Sequence, residues 1–180
     1  MRHLQYIGAL EVMPLVVQIG RNADLWGSFG WRKESAVHRE MDDIWIRYNR
    51  PPENNDYSHF NDEHHGVFYP AWERLPALRP LVFTLMSALQ ATELGGVLIT
   101  RIPPGRCIAP HADDSWHVRH FNTKCYTVLE TNDRCWYRCA DEQLVMKVGE
   151  VWTFDNRKEH EVQNEGSTDR MTLITCLRCE

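Results

Sequence analysis

The chain after Gly96 is a succession of short β-type segments, and this feature most constrains the fold. β-Branched and aromatic residues dominate the segments, and turn formers such as Asn132, Asp133 and Gly149 separate several of them. Many short strands in succession favour a sandwich or a barrel over a parallel α/β sheet. The predicted strands are 97–102, 117–130, 134–139, 143–147, 149–154, 160–164 and 170–177.

The first 50 residues are expected to add strands at the edge of this β-rich part. Pro14 interrupts the apolar run at 7–19, and proline is poorly tolerated in a central ladder, so the run predicts one or two short edge strands. Residues 20–31 carry several glycines around aromatic residues and predict a loop. The segment 41–48 alternates and is rich in β-formers, which predicts a further strand.

A long polar loop and one helix are predicted between this strand and Gly96. Residues 49–70 are polar, and the adjacent His64 and His65 there are interpreted as solvated loop histidines. From Trp72 to Thr92, apolar residues recur at three- and four-residue intervals, as in an amphipathic helix. Gly95-Gly96 is expected to mark the end of that helix.

Length and charge restrict the domain count and the function classes. A chain of 180 residues predicts one domain over 1–180, with a core at about 95–177 supported by residues 1–94. The net charge of −5 and a pI near 6.0 argue against nucleic acid as a partner. No apolar run approaches the roughly 18 residues of a membrane span, so we expect no membrane partner and a cytoplasmic location.

The six cysteines leave two interpretations open. Cys135 and Cys139, together with Cys176 and Cys179, suggest a zinc site. In an extended strand, however, Cys135 and Cys139 lie about 13 Å apart, too far for both thiolates to ligate one ion without a sharp bend. Reduced and mostly buried cysteines are therefore the preferred interpretation, and they fit a reducing compartment.

The sequence His111-Ala112-Asp113 is a candidate metal-binding element. Residues two apart in a strand point to the same face, so His111 and Asp113 can direct an imidazole and a carboxylate at one point, whereas Asp114 has the wrong parity. A second histidine from another strand would complete two histidines and one carboxylate. That arrangement leaves three octahedral positions open and suits non-haem Fe(II) oxygenases.

Four motifs in order resemble the aspartyl/asparaginyl β-hydroxylase family, over about residues 72 to 177. They are Arg101-Ile102-Pro103-Pro104-Gly105 with Pro110-His111-Ala112-Asp113, then 149–156, then 160–166, then Asp169-Arg170. The resemblance implies a mainly β fold with a flanking helix, a double-stranded β-helix of the jelly-roll or cupin type. It also implies a dioxygenase that uses Fe(II), 2-oxoglutarate and O2 to hydroxylate an amino acid, with release of succinate and CO2.

The resemblance also implies roles for individual residues. His111, Asp113 and His160 would be the metal ligands and catalytic residues. Arg170 would bind the distal carboxylate of 2-oxoglutarate, because its planar fork matches a carboxylate. Lys124 occupies the position of a second basic residue that would also bind 2-oxoglutarate, although relatives commonly have Arg-x-His where this chain has Lys124-x-Tyr126. Asn156 is expected to stabilise the turn before His160.

The substrate is expected to be an amino acid, free or within a peptide. The segment from His38 to Arg47, the 49–70 loop and Arg119 are candidate substrate contacts, with Arg47 and Arg119 as the cations for an acidic or zwitterionic group. Two other function classes remain. A metal-binding cupin that isomerises or binds a small molecule would have no need of Arg170, and a non-enzymatic jelly-roll interaction domain would bind no stoichiometric metal.

Overall fold

The computed structural model describes residues 3–62 and 65–180, and the predicted loop residue His64 lies outside them, whereas His65 is exposed. These residues form eleven strands and four α-helices. The strands are β1 Leu4–Ala9, β2 Asp42–Asn49, β3 Gly66–Phe68, β4 Ala91–Ile102, β5 Cys107–His111, β6 Thr123–Glu130, β7 Cys135–Cys139, β8 Glu142–Leu144, β9 Glu150–Phe154, β10 His160–Asn164 and β11 Arg170–Cys179. The helices are α1 Met13–Arg21, α2 Ala71–Arg74, α3 Leu78–Ala88 and α4 Trp116–His120, with 3-10 turns at Ala23–Leu25 and Trp31–Glu34.

The strands form two antiparallel sheets. The larger has the order β1-β9-β6-β11-β4-β2-β3, and the smaller has the order β5-β10-β7-β8. Buried residues of both sheets, among them Tyr126, Ile174, Ile108 and Tyr137, form one cluster between them. This is the predicted double-stranded β-helix: a mainly β jelly-roll with flanking helices.

The helices cover the other face of the larger sheet. Leu15 of α1 and Leu78 of α3 pack in a second cluster with Ile99 of β4 and Leu173 of β11, all of them fully buried. Side chains alternate along β11, so Leu173 faces the helices while Ile174 faces the smaller sheet. The larger sheet is therefore buried on both faces, and its inner face is available to form a site.

The prediction of strands at 7–19 was wrong beyond Ala9, because residues 13–21 form α1. Pro14 lies in the first turn of that helix, where a missing N–H costs little. Leu15 and Ile19, four residues apart, are its buried residues. The period of the apolar residues is thus helical, and the proline begins a helix here instead of limiting a strand.

The helix predicted over 72–92 is two helices, α2 and α3, and the expected stop at Gly95-Gly96 was wrong. Gln90, at a φ of 52°, turns the chain after α3, and both glycines lie inside β4. A Cβ on Gly95 would lie 2.6 Å from the Phe121 ring, and one on Gly96 would lie 2.8 Å from the Tyr48 ring. Close packing of aromatic rings therefore explains the glycines.

The strand predicted at 117–130 begins only at Thr123, because α4 precedes it. Ser115 caps that helix, and its Oγ accepts a hydrogen bond of 3.3 Å from the Val118 N–H. The strand predicted to 147 ends at Leu144. All six cysteines are free, and no cysteine of the described chain belongs to a group that could hold a metal ion. None of the helices in residues 3–62 and 65–180 is long and apolar enough to cross a membrane.

Leu173→Ala should lower the free energy of unfolding by about 2–5 kcal/mol, because it opens a cavity between the larger sheet and the helices. Val17 lies on the exposed side of α1 and is 41% exposed, so Val17→Ala should change the free energy by less than about 0.5 kcal/mol. Urea denaturation of both variants measures the difference. Equal losses would contradict the assignment of this core.

Candidate metal centre and its cleft

The register of β5 against β10 brings two histidines together. His111 ends β5 and pairs directly with His160, the first residue of β10, and the ring centroids are 4.2 Å apart. Asp113 lies two residues beyond β5, and its backbone N–H donates to Asn156 O at 2.9 Å. One ligand atom from each of His111, Asp113 and His160 lies within 4.8 Å of the others.

Backbone carbonyls orient both imidazoles. His111 Nδ1 lies 2.8 Å from Ala109 O, and His160 Nδ1 lies 2.9 Å from Lys158 O. A carbonyl only accepts, so each Nδ1 carries the proton and each Nε2 keeps its lone pair for a ligand. His160 Nε2 is buried and has no hydrogen-bond partner within the described residues. A buried acceptor left without a partner is costly, and a metal ion would satisfy it.

The Asp113 carboxylate is held on one side only. Its Oδ2 accepts from Lys124 Nζ at 2.7 Å and from Asn156 Nδ2 at 2.9 Å, while Oδ1 lies 3.4 Å from His111 Nε2. Burial by itself would raise the pKa of Asp113, but the Lys124 charge and the hydrogen bonds hold that pKa well below its usual range. Asp113 is therefore ionised at neutral pH, with Oδ1 nearest His111 and Oδ2 3.9 Å from His160 Nε2.

Burial keeps two histidines near the candidate metal centre, His160 and His38, in the neutral form. Burial, with the Lys124 charge, lowers the pKa of His160 to about 4. Burial, with the Arg32 and His111 charges, lowers the pKa of His38 to about 2, and the His38 ring lies edge-on to His111 at 5.2 Å. Metal ligation requires the neutral imidazole, so the environment of His160 favours the form that binds.

A cleft of about 380 Å³ opens beside Asp113. Asp113, Lys124 and Asn156 line the end next to the histidines, and the inner face of the larger sheet forms the floor. The remaining walls include Trp31, Arg32, Ser35 and His38, and from the larger sheet Trp45, Tyr48, Leu98, Ile174 and Cys176. Sequence reasoning missed Trp31 and Arg32, which precede the segment it proposed, and only their position in the fold identifies them.

The structure places Arg170 and Lys124 on neighbouring strands of the larger sheet but gives them different surroundings, and of the two Lys124 lines the cleft. Arg170 is 3% exposed and lies on β11, while Lys124 lies on the neighbouring β6. The Tyr126 ring lies between them, at 5.8 Å from the Arg170 guanidinium and 5.9 Å from Lys124 Nζ. Lys124 is bound to Asp113, whereas the only hydrogen-bond partner found for Arg170 in the described chain is Met146 Sδ at 3.9 Å.

The two cations predicted for the substrate do not line the cleft. Arg47 donates to Gly95 O at 2.8 Å and lies over the Phe68 ring. Arg119 is exposed on α4 and pairs with Asp114 Oδ1 at 2.6 Å. In the segment from His38 to Arg47 that the sequence proposed as a substrate contact, His38 therefore lines the cleft and Arg47 does not. From the 49–70 loop, Asn61 lines the cleft.

Comparison with known families identifies the chain. A protein-family model described as aspartyl/asparaginyl beta-hydroxylase matches residues 34–178. The chain belongs to this family. The match includes both histidines, Asp113 and Arg170, as well as the aromatic wall contributed by β2. A search of curated proteins gave no match.

Solved structures with the same fold are hydroxylases and oxygenases at low sequence identity. A Trichoplax adhaerens prolyl hydroxylase, in complex with a hypoxia inducible factor peptide fragment, is 13% identical with a TM-score of 0.61, over 98% of this chain and 83% of that one. A Pseudomonas putida prolyl-4-hydroxylase is 13% identical with a TM-score of 0.57, over 100% and 94%. A 2OG-Fe(II) oxygenase family protein of Burkholderia pseudomallei is 13% identical with a TM-score of 0.57, over 89% and 77%.

The metal-free protein should lose stability between pH 7 and pH 5. In the unfolded chain His38 and His160 titrate near 6.5, whereas in the native protein their pKa values are about 2 and about 4. Below pH 6.5 the unfolded state therefore binds more protons, and the stability present above 6.5 is lost progressively as the pH falls. We expect a loss of about 1–2 kcal/mol per histidine at pH 5. Urea denaturation at both pH values measures it, and His38→Gln should reduce the slope; a parent protein equally stable at both values would contradict the assignment.

Lys124→Met should destabilise the metal-free protein by about 2 kcal/mol, because Asp113 then loses its cation. The loss is smaller than for a fully buried pair, since the Asp113 side chain is 21% exposed. Mn(II) should raise the melting temperature of this variant more than that of the parent, because the ion replaces the missing positive charge. Lys147 is exposed, so Lys147→Met serves as the control. Unchanged stability of Lys124→Met would show that Lys124 does not hold Asp113.

Proposed function

We propose that the protein is an Fe(II)- and 2-oxoglutarate-dependent dioxygenase that hydroxylates an amino acid, free or within a peptide, with release of succinate and CO2. One observation carries this proposal. His111, Asp113 and His160 converge beside a cleft that Asp113 lines, and the buried Nε2 of His160 lacks a partner within the described residues. Family membership and the shared fold of known oxygenases support the same reaction class.

The residues fit an Fe(II) ion by their donor set. Two imidazole nitrogens and one carboxylate oxygen on adjacent elements are the ligands that non-haem Fe(II) oxygenases use. When bound, Fe(II) together with 2-oxoglutarate supplies the activation of O2 that hydroxylation requires. The carbonyls of Ala109 and Lys158 would keep the imidazoles in the binding tautomer, and Lys124 and Asn156 would keep the carboxylate in place.

Arg170 is the residue that we assign to the distal carboxylate of 2-oxoglutarate. Its guanidinium is buried, and within residues 3–62 and 65–180 it forms no ion pair with a carboxylate. A buried cation without an anion lowers the free energy of unfolding, so binding of a dicarboxylate at Arg170 would raise it. The hydroxyl of Tyr137 is also buried without a partner in the described chain, and the Arg170 charge acts on it. Both groups can donate to an incoming carboxylate.

Lys124 receives a different role from the one that the sequence predicted. Its ammonium group is bound to Asp113 in the structure, so we propose that it positions the metal-binding carboxylate. This role also fits the departure from Arg-x-His, because a single point charge suffices to hold one carboxylate oxygen.

The partner class is an amino acid or a peptide. The Trichoplax adhaerens prolyl hydroxylase was solved with a peptide fragment, which supports a peptide residue as one form of the substrate. The six free thiols support a reducing compartment, and we therefore propose a cytoplasmic location.

Addition of Fe(II) and 2-oxoglutarate without oxygen should produce the weak visible charge-transfer band of the chelate. His160→Ala should abolish both iron binding and the band. Arg170→Ala should leave iron binding intact and raise the dissociation constant of 2-oxoglutarate about 10–100-fold, because a charge-assisted contact is lost.

Arg178→Ala is the matched control, since Arg178 lies on the same strand as Arg170 but pairs with Glu93 at the surface. Iron binding without a band in the parent would favour the metal-binding cupin. Absence of iron binding would favour the interaction domain.

A further inference from the structure

The cations that line the cleft are already paired with carboxylates. Arg32 Nη1 lies 3.0 Å from Asp43 Oδ1, and Asp43 is 4% exposed. Lys124 Nζ lies 2.7 Å from Asp113 Oδ2. Among the described residues that line the cleft, Arg32 and Lys124 are the arginine and lysine residues. An entering carboxylate would therefore meet no unpaired guanidinium or ammonium group there.

An acidic side chain would have to share one of these cations with its present carboxylate, because Arg32 meets Asp43 through Nη1 alone, or else displace that carboxylate. Displacement of Asp43 from Arg32 would leave Asp43 buried without its cation, which is strongly destabilising. Release of Lys124 would remove the ammonium group that holds Asp113 in the metal site. Arg119 cannot substitute, because it does not line the cleft and is paired with Asp114.

The deep part of the cleft is instead apolar. Trp45, Leu98, Phe121 and Ile174 all line it, and each is no more than 7% exposed. An apolar side chain placed against this floor gains binding free energy with each methylene group that is removed from water. Two of the charged lining residues, Glu34 and Asp114, are exposed to solvent. The floor thus favours a carbon side chain.

We propose that the cleft binds an amino acid with an apolar side chain, and that it discriminates against aspartate. This inference rests on the proposed function, because it places the side chain that is hydroxylated in the cleft next to Asp113. It separates this chain from the substrate class in its family's description. The apolar side chain has two sources, a free amino acid or a residue within a peptide, and both present the same carbon surface to the floor.

The test is a binding panel on the anaerobic Fe(II) and 2-oxoglutarate complex. Leucine, isoleucine, methionine and proline are compared with aspartate and asparagine, each as the free amino acid and as the N-acetyl amide. Isothermal titration calorimetry measures the dissociation constants. We expect at least one apolar member to bind at least tenfold more tightly than aspartate, and the two forms distinguish a free substrate from a peptide residue.

The outcomes separate the inference from the function on which it rests. Absence of the charge-transfer band contradicts the proposed function, and the panel is then titrated into Zn(II)-loaded protein to test the cleft alone. A normal band with tighter binding of aspartate or asparagine overturns the inference and leaves the function intact. Absence of binding by every apolar member also overturns the inference.

A gain of charge tests the physical reason. Val118 lines the cleft from α4 and is partly exposed, so a lysine at this position can reach the cleft without burying its ammonium group. Val118→Lys should reduce the preference for apolar over acidic members at least tenfold. Val17→Lys, on the exposed side of α1, is the matched control and should leave the preference unchanged. An unchanged preference in a folded Val118→Lys variant, verified by circular dichroism, would show that missing cations do not set the selectivity.

Discussion

The antiparallel register of β5 against β10 is the constraint on which the candidate metal centre depends. It places His111 opposite His160, and an irregularity follows at once, because the next pair is Val162 with Ile108. The extra residue on β5 is a bulge, a device that redirects side chains next to functional sites. A slip of one residue would turn one histidine to the opposite face of the smaller sheet. Strand pairing therefore fixes the ligands before any ion binds.

One lysine connects the metal centre to the cleft. Lys124 lies on the larger sheet, and Asp113 follows a strand of the smaller sheet, so their ion pair joins the two layers at the site. This ion pair keeps Asp113 ionised, and it also neutralises the Lys124 charge that an acidic substrate would otherwise use. The same contact thus bears on metal binding and on substrate selection, and both effects follow from burial of the pair.

The larger sheet serves two purposes because side chains alternate along its strands. On β11, Leu173 packs under the helices, while Arg170, Ile174 and Cys176 face the smaller sheet. The helices secure one face, so the other face can hold polar groups at the cost of some stability. Arg170 is an example, since it is buried and its hydrogen-bond partner in the described chain is the weak acceptor Met146 Sδ.

The sequence by itself determined the β-rich class, because alternation is a local property, and the resemblance in motif order proposed His111, Asp113, His160 and Arg170 as the site residues. Only the tertiary structure decided which residues meet. The helix at 13–21, the partner of Lys124 and the position of Arg47 outside the cleft all depend on packing between segments distant in the chain. Pro14 and Gly95 show the reason: each residue type permits several conformations, and the neighbours contributed by the fold select one of them.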